Sequence, residues 1–155
     1  MPSVGMVGQN GQDIAQMVMG MCGGISCYHI AEGQGQVPKP DVLVASEASP
    51  VLAELVPRMT QKDYLVVNAD DRAIFPYLSA RKAKLITYGF NNKACITASS
   101  VTDEGLQVCI QRTFTALDGK QHDPQEFAVP ESIMSVSPEA TLGAAAVWAV
   151  CGKTM

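Results

Sequence analysis

Charge is scarce in this sequence: Asp, Glu, Lys and Arg make up 17% of its 155 residues. Aromatics are scarcer still, at 6% with one Trp. Basic residues do not predominate, since Lys+Arg 11 against Asp+Glu 15 gives a net charge of −4. That argues against a sequence-independent nucleic-acid binder, which needs a basic footprint. There is no CxxC. The five cysteines (Cys22, Cys27, Cys95, Cys109 and Cys151) are odd in number and widely spaced, which is not a disulfide framework. His29 and His122 lie far apart, so no zinc pattern forms. Reduced thiols and a cytoplasmic protein are expected. A long apolar run is missing too. Ala140–Cys151, broken by Thr141 and Gly143, falls short of the roughly 20 residues that a membrane span needs. It reads as a buried helix, and no membrane partner is expected. Met1–Gly8 has no basic stretch of the kind that opens a secretory signal.

What the sequence does have is a 47% hydrophobic composition in 16.5 kDa. That is enough apolar material for a packed core, and it excludes a disordered tail. One module spanning residues 1–155 is the simplest organisation. The low charge suggests that some surface is covered.

Ser3–Val7 reads as an apolar strand running into the turn-rich Gly8-Gln9-Asn10-Gly11. Ile14, Met17, Val18, Met21 and Cys22 recur with helical spacing, and Gly23-Gly24 marks a stop. Ile25–Ile30 is a second strand and Ala31–Pro40 a loop. Val42–Ala45 is a continuous apolar run, the mark of a strand covered on both faces. Pro50–Val56 is a short helix with Ser49 as N-cap. Tyr64–Val67 is another covered strand, ending in Asn68-Ala69-Asp70-Asp71. Arg72–Ala80 reads as a helix shortened or kinked by Pro76, and Lys84–Tyr88 as a further strand closed by Gly89. Such alternation implies an α/β fold with a mainly parallel sheet and flanking helices. The pattern then changes to strict alternation. Ala94–Val101 and Leu106–Gln111 form a hairpin around Thr102–Gly105, and Glu126–Val129 follows as a third antiparallel strand. This is read as a separate antiparallel unit over Ala94–Val129. Ser137-Pro138-Glu139 opens a last helix that runs to about Val150, with Gly152 as its stop.

This order of elements, and several of its words, resembles the central ATP-binding domain of the Mur ligase family, whose members join an amino acid to a peptidoglycan precursor using ATP. Tyr64-Leu65-Val66-Val67-Asn68-Ala69-Asp70-Asp71, then a helix, then Ala83–Phe90 with Thr87-Tyr88-Gly89, is similar to the family's strand ending in Asn-x-Asp-Asp and its later Thr-Tyr-Gly. The hairpin Ala94–Phe114 resembles the family's small β extension. Leu142–Val150 resembles the helix after its adenine loop. Gly8–Asp13 and Pro40–Ser49 are more weakly similar.

Several family positions are altered. The family's phosphate loop, Gly-Thr-Asn-Gly-Lys-Ser/Thr, combines backbone N–H groups with a cation and a Mg²⁺-ligating hydroxyl. The matching run here is Gly8, Gln9, Asn10, Gly11, Gln12 and Asp13. Neutral Gln12 stands where the Lys should be, and Asp13 where the hydroxyl should be. Those changes cost several kcal/mol of phosphate binding and transition-state stabilisation. The competing reading is a plain glycine turn with an acidic helix start. Glu47 matches a family Mg²⁺ residue, or is a solvated loop carboxylate. Pro50–Asp63 is short and holds no His for the family's second metal segment. Ser135–Thr141 has no Asn for the adenine. The acceptor-binding and C-terminal domains of a complete ligase are not represented. Asn68, Asp70 and Asp71 form a further candidate set. Neighbouring carboxylates at a strand end diverge, which favours a helix cap at Arg72 over a metal pair.

Two function classes follow. One is a non-catalytic, Mur-ligase-like module acting in binding or assembly, with a residual anion site at Gly8–Gly11 and no firmly held cofactor. Its partner would be a second copy of the chain or another protein. The eight Met permit an adhesive interface or simply fill the core. The other class is a nucleotide-binding subunit of an ATP-dependent ligase, completed by a partner chain, with Mg²⁺-ATP at Gly8–Asp13 and Glu47. A thiol enzyme built on Cys27 beside His29 is a third and weaker reading, against a buried Cys and an incidental His.

Overall fold

The computed structural model describes residues 3–21, 25–31, 38–130 and 137–152, without the side chains of Met21 and Pro130. The expected stop at Gly23-Gly24, most of the 31–40 loop and Ser135-Val136 lie outside them.

Ten strands are present among the described residues: β1 (Ser3–Val7), β2 (Ser26–His29), β3 (Val42–Ala45), β4 (Tyr64–Asn68), β5 (Lys84–Tyr88), β6 (Ile96–Thr102), β7 (Gly105–Ile110), β8 (Phe114–Thr115), β9 (Gln121–His122) and β10 (Gln125–Pro130). Eight of them form one sheet in the order β10-β7-β6-β5-β4-β3-β1-β2. β2, β1, β3, β4 and β5 are parallel, with Met6 opposite His29, Val7 opposite Ala45, and Val67 between Ala45 and Thr87. β6 runs antiparallel to β7, and β7 antiparallel to β10, while β6 is parallel to β5. They do not stand apart, because Tyr88 pairs with Ile96 and splices β6 onto β5. The antiparallel unit expected to be separate is therefore the edge of the main sheet. The independent sheet is the small pair β8–β9, which alternation over two residues is too short to reveal.

The period-2 alternation of covered strands sends side chains to two cores. Val4, Met6, Val42, Val44, Val66 and Tyr88 face α1 (Gly11–Met21) and α3 (Pro138–Val150). Leu43, Ala45, Leu65 and Val67 face the other way, towards α2 (Val51–Leu55) and the 3₁₀ turn Arg72–Leu78. α3 is buried on every side from Ala140 to Val150, so its apolar run has no polar face to show. Ser137 caps it by accepting the Ala140 N–H at 3.2 Å. Gly143 lets α1 and the sheet close on it, since an added Cβ would lie 2.9 Å from Ile14 Cδ1 and 3.1 Å from Tyr88 Cζ. Ser49 Oγ accepts the Val51 N–H at 3.3 Å, the expected cap on α2. Pro76 holds Arg72–Leu78 in the tighter 3₁₀ form where a longer helix was expected. His122 is a core residue, 4% exposed and stacked 5.2 Å from Phe114. No described helix is long and apolar enough to cross a membrane.

Candidate functional site

Two clefts open near the carboxyl ends of the parallel strands, where open α/β sheets place their ligands. The first is the Gly8–Asp13 loop between β1 and α1. Gly11 N–H donates to Gly8 C=O at 3.2 Å to close the turn, and Ile14 N–H donates to Asn10 C=O at 3.0 Å. Gly8 has φ 112°, and a Cβ there would sit 2.9 Å from both Cγ and the backbone N of Glu47. At Gly11 a Cβ would meet His29 Cδ2 at 2.8 Å and Met6 Cβ at 3.0 Å. Both glycines are thus required by their own neighbours, whatever ligand approaches.

Glu47 lies beside this loop. Its Oε1 accepts the Gln9 N–H at 3.1 Å. Ser46 joins the same junction, its Oγ donating to Val7 C=O at 3.1 Å. The register Met6–His29 brings His29 to the loop, with Nε2 3.4 Å from Gly8 O. Gln9, Gln12, His29, Glu47, Ser49 and Pro50 are among the residues lining a cleft of about 440 Å³. Among the described residues no Lys or Arg lines it. One of the loop's backbone N–H groups is thus taken by a carboxylate, and no Lys or Arg among the described residues faces it across the cleft. Sequence alone leaves His29 incidental beside Cys27. The signal that locates it is strand register, since a residue paired beside the end of β1 must adjoin the loop that β1 feeds.

Asn68, Asp70 and Asp71 sit elsewhere, and each is engaged within the fold. Asn68 Nδ2 donates to Ser46 C=O at 3.2 Å, while its Oδ1 accepts the Asp70 N–H at 3.0 Å. Asp71 caps the 3₁₀ turn through the Ala73 N–H at 3.1 Å and takes the Ala48 N–H at 3.0 Å. The cap expected of the pair belongs to Asp71. Asp70 turns the other way and accepts from Phe90 N at 2.7 Å, Asn91 N at 3.2 Å and Asn91 Nδ2 at 2.7 Å. A Cβ at Gly89 would lie 2.9 Å from that carboxylate. The Asn-x-Asp-Asp and Tyr-Gly words are thereby two halves of one clip joining the ends of β4 and β5. Among the described residues no group of three His, Cys, Asp or Glu is placed to hold a metal ion.

The second cleft, of about 430 Å³, lies beyond that clip. Arg72, Phe75, Thr87, Asn92, Lys93 and Arg112 contribute to its lining together with Asp70. Sequence spacing gave no hint of it, because its cations come from three separate loops. Two nearby groups carry shifted pKa values. Burial first, and the Asp70 charge second, push the Tyr88 phenol well above its ordinary value of 10.0. Burial raises the Cys95 thiol, partly offset by the Arg112 charge. Cys95 is thus disfavoured as a thiolate.

No protein-family model matches the chain. No curated protein matches it by sequence. Among solved structures, it is similar to the UDP-N-acetylmuramoylalanyl-D-glutamyl-2,6-diaminopimelate–D-alanyl-D-alanyl ligase from Acinetobacter baumannii, with a TM-score of 0.65 and 8% identity. The match covers 100% of this chain and 44% of that one, so the chain spans less than half the ligase's length. At that identity the likeness is one of fold alone: an α/β, Mur-ligase-like fold with a mostly parallel sheet.

Proposed function

We propose that this chain is a Mur-ligase-like module that works by binding or assembly and does not itself carry out ATP-dependent ligation. The observation that carries the reading is the Glu47 carboxylate on the Gln9 N–H, in a cleft that no Lys or Arg among the described residues lines. Phosphoryl transfer depends on positive charge around the β- and γ-oxygens. Gln12 supplies only a neutral dipole, and Asp13 and Glu47 add negative charge. A catalytic dipole or charge of this sort is worth about 3–4 kcal/mol, so its loss is not made good by backbone N–H groups alone. Any anion held at Gly8–Gly11 is held weakly. The partner in assembly is a second copy or another protein.

The competing class is a nucleotide-binding subunit completed by a partner chain, and the open cleft beside the α1 N-terminus is what favours it. Calorimetric titration with ATP, ADP and phosphate, with and without Mg²⁺, separates the two. Little or no binding at the loop and no ATP turnover are expected. Mg²⁺-dependent turnover by the wild-type chain would overturn the reading. The double substitution Gln12→Lys with Asp13→Thr supplies the missing groups. If the loop is an altered phosphate site, nucleotide affinity rises about tenfold or more, since charge-assisted contacts of this kind contribute at that scale. An unchanged result makes the loop a turn and nothing else.

A further inference from the structure

The cleft beyond the Asp70 clip has a charge pattern that the rest of the chain does not prepare for. The protein is acidic overall, at −4 with 11 Lys and Arg. Three of those cations, Arg72, Lys93 and Arg112, line this one cavity of about 430 Å³. They remain unneutralised: among the described residues the ion pair is Lys39 with Asp63, at 2.8 Å in another part of the fold. The one carboxylate in the lining is Asp70. Its two oxygens are taken up by the Phe90 and Asn91 donors and it stays outside ion-pair distance of all three cations. Three positive groups against one committed carboxylate leave an excess of two positive charges.

The walls are also fixed in advance. Arg112 Nη2 donates to Lys93 C=O at 2.9 Å, which ties the guanidinium to the 91–94 loop. Gln111 Nε2 holds the same loop through Asn92 C=O at 3.1 Å and Ala94 C=O at 2.7 Å. Asp70 holds its beginning, and Asn91 Oδ1 accepts the Lys93 N–H at 3.0 Å. Thr87 Oγ1 accepts the Cys95 N–H at 2.9 Å, so its hydroxyl hydrogen remains to donate. Phe75, 42% exposed on the 3₁₀ turn, gives the cleft a flat apolar side. Leaving a large aromatic in water beside guanidinium groups that have no carboxylate at ion-pair distance gains little for folding, whereas both features favour a ligand.

We propose that this cleft binds a small organic dianion, specifically a phosphate monoester whose flat substituent lies on Phe75 while Arg72, Lys93 and Arg112 surround the phosphate. Two guanidinium groups suit a tetrahedral oxyanion with several acceptor oxygens, because each presents a fork of donors. The neutralised charge matches the second ionisation of a phosphate monoester near neutral pH. The site is distinct from the Gly8–Asp13 loop and needs no metal.

The test is calorimetric titration of the full chain with phenyl phosphate, with inorganic phosphate and phthalate as comparators. Amide chemical shifts report where each probe lies. Phenyl phosphate is expected to bind more tightly than inorganic phosphate, moving the amides of residues 70–75 and 91–93. Arg72→Gln and Arg112→Gln should each weaken it about tenfold, as expected for loss of one charge-assisted contact. Phe75→Ala should bring phenyl phosphate down to the level of inorganic phosphate. All three side chains are exposed, so circular dichroism should remain that of wild type, and urea midpoints should too for Arg72→Gln and Phe75→Ala, while Arg112→Gln gives up its bond to Lys93 C=O and lowers the midpoint slightly. Absence of saturation at about 10 mM probe, a regime weaker than any functional small-ligand site, overturns the proposal. So do affinities indifferent to the arginine substitutions, phthalate binding as tightly as phenyl phosphate, or shifts confined to Gly8–Gln12. Because the two clefts report through different amides, this result stands or falls independently of the ATP titration.

Discussion

Asp70 offers the most direct way to ask whether the family-like words around β4 and β5 serve chemistry or the fold. Its carboxylate accepts three N–H groups from Phe90 and Asn91, at 2.7, 3.2 and 2.7 Å. Buried hydrogen bonds to charge contribute about 1.5–3 kcal/mol each, and solvent around this clip reduces that to about 0.5–1. Asp70→Ala should therefore cost about 2 kcal/mol, or about 4–8 °C in Tm for a chain of this size. Asp70→Asn keeps one acceptor oxygen and should lose about half as much. Urea and thermal melts, each with and without Mg²⁺, provide the assay.

Asp71 is the internal control. Its bonds go to Ala73 and Ala48, and it shares no partner with Asp70. Two clips on different loops should give additive losses in the double variant, whereas two ligands of one ion would not. Asp70→Ala within about 0.5 kcal/mol of wild type would refute the clip. A Mg²⁺-dependent rise in wild-type Tm that either substitution abolishes would make these residues metal ligands after all.

Two further outcomes follow from the same geometry. Burial keeps the Tyr88 phenol protonated above its ordinary 10.0, while the unfolded chain releases that proton near 10, so stability should fall as pH climbs beyond 10. Tyr88 contributes about 1.4 kcal/mol per pH unit of that slope, and in alkaline urea titrations Tyr88→Phe should reduce it by about that amount, Tyr28 and Cys95 supplying what remains; an unchanged slope would refute the assignment. Gly8→Ala, at φ 112° and against Glu47 N, should destabilise the ligand-free protein by about 2 kcal/mol or more, since positive φ and a backbone clash add. A wild-type melt for that variant would return the glycine to a ligand-binding explanation.

The parallel half of the fold was legible because its strands state their environment in composition. Val42–Ala45 and Tyr64–Val67 have no polar face, which only a strand covered on both sides allows; the first appears at the expected bounds and the second extends one residue further, to Asn68. Capping was equally readable at Ser137, where an accepting hydroxyl, a proline and an acid coincide. What local pattern could not decide was attachment. Ala94–Val129 alternates like any wet-faced hairpin, and the one pair that joins it to the sheet, Tyr88 with Ile96, carries no local signature. The 3₁₀ form of Arg72–Leu78 follows from Pro76 and the Asp71 cap acting together, and periodicity over seven residues does not separate it from an α-helix.

The sites show the opposite asymmetry. The family resemblance put Gly8–Asp13 and Glu47 in one candidate site, and the parallel pairing of β1 with β3 brings both to the same edge of the sheet. It left open which atom would meet which, and that detail decides the chemistry: a carboxylate that ligates a metal beside a phosphate is also one that can take a backbone N–H in the phosphate's place. For Arg72, Lys93 and Arg112 the difficulty is different in kind. Each alone is a common surface cation with a solvated reading that composition favours. Their meaning lies in the absence of a carboxylate at ion-pair distance among the described residues, which is a property of the assembled surface, and in the loops from β4, β5 and β7 that carry them to one cavity. A motif search finds residues that are close in sequence, whereas this cleft is made by the crossover order of the sheet. Its test therefore bears on the fold as much as on the ligand, since the three cations meet only if β6 is spliced beside β5 as described.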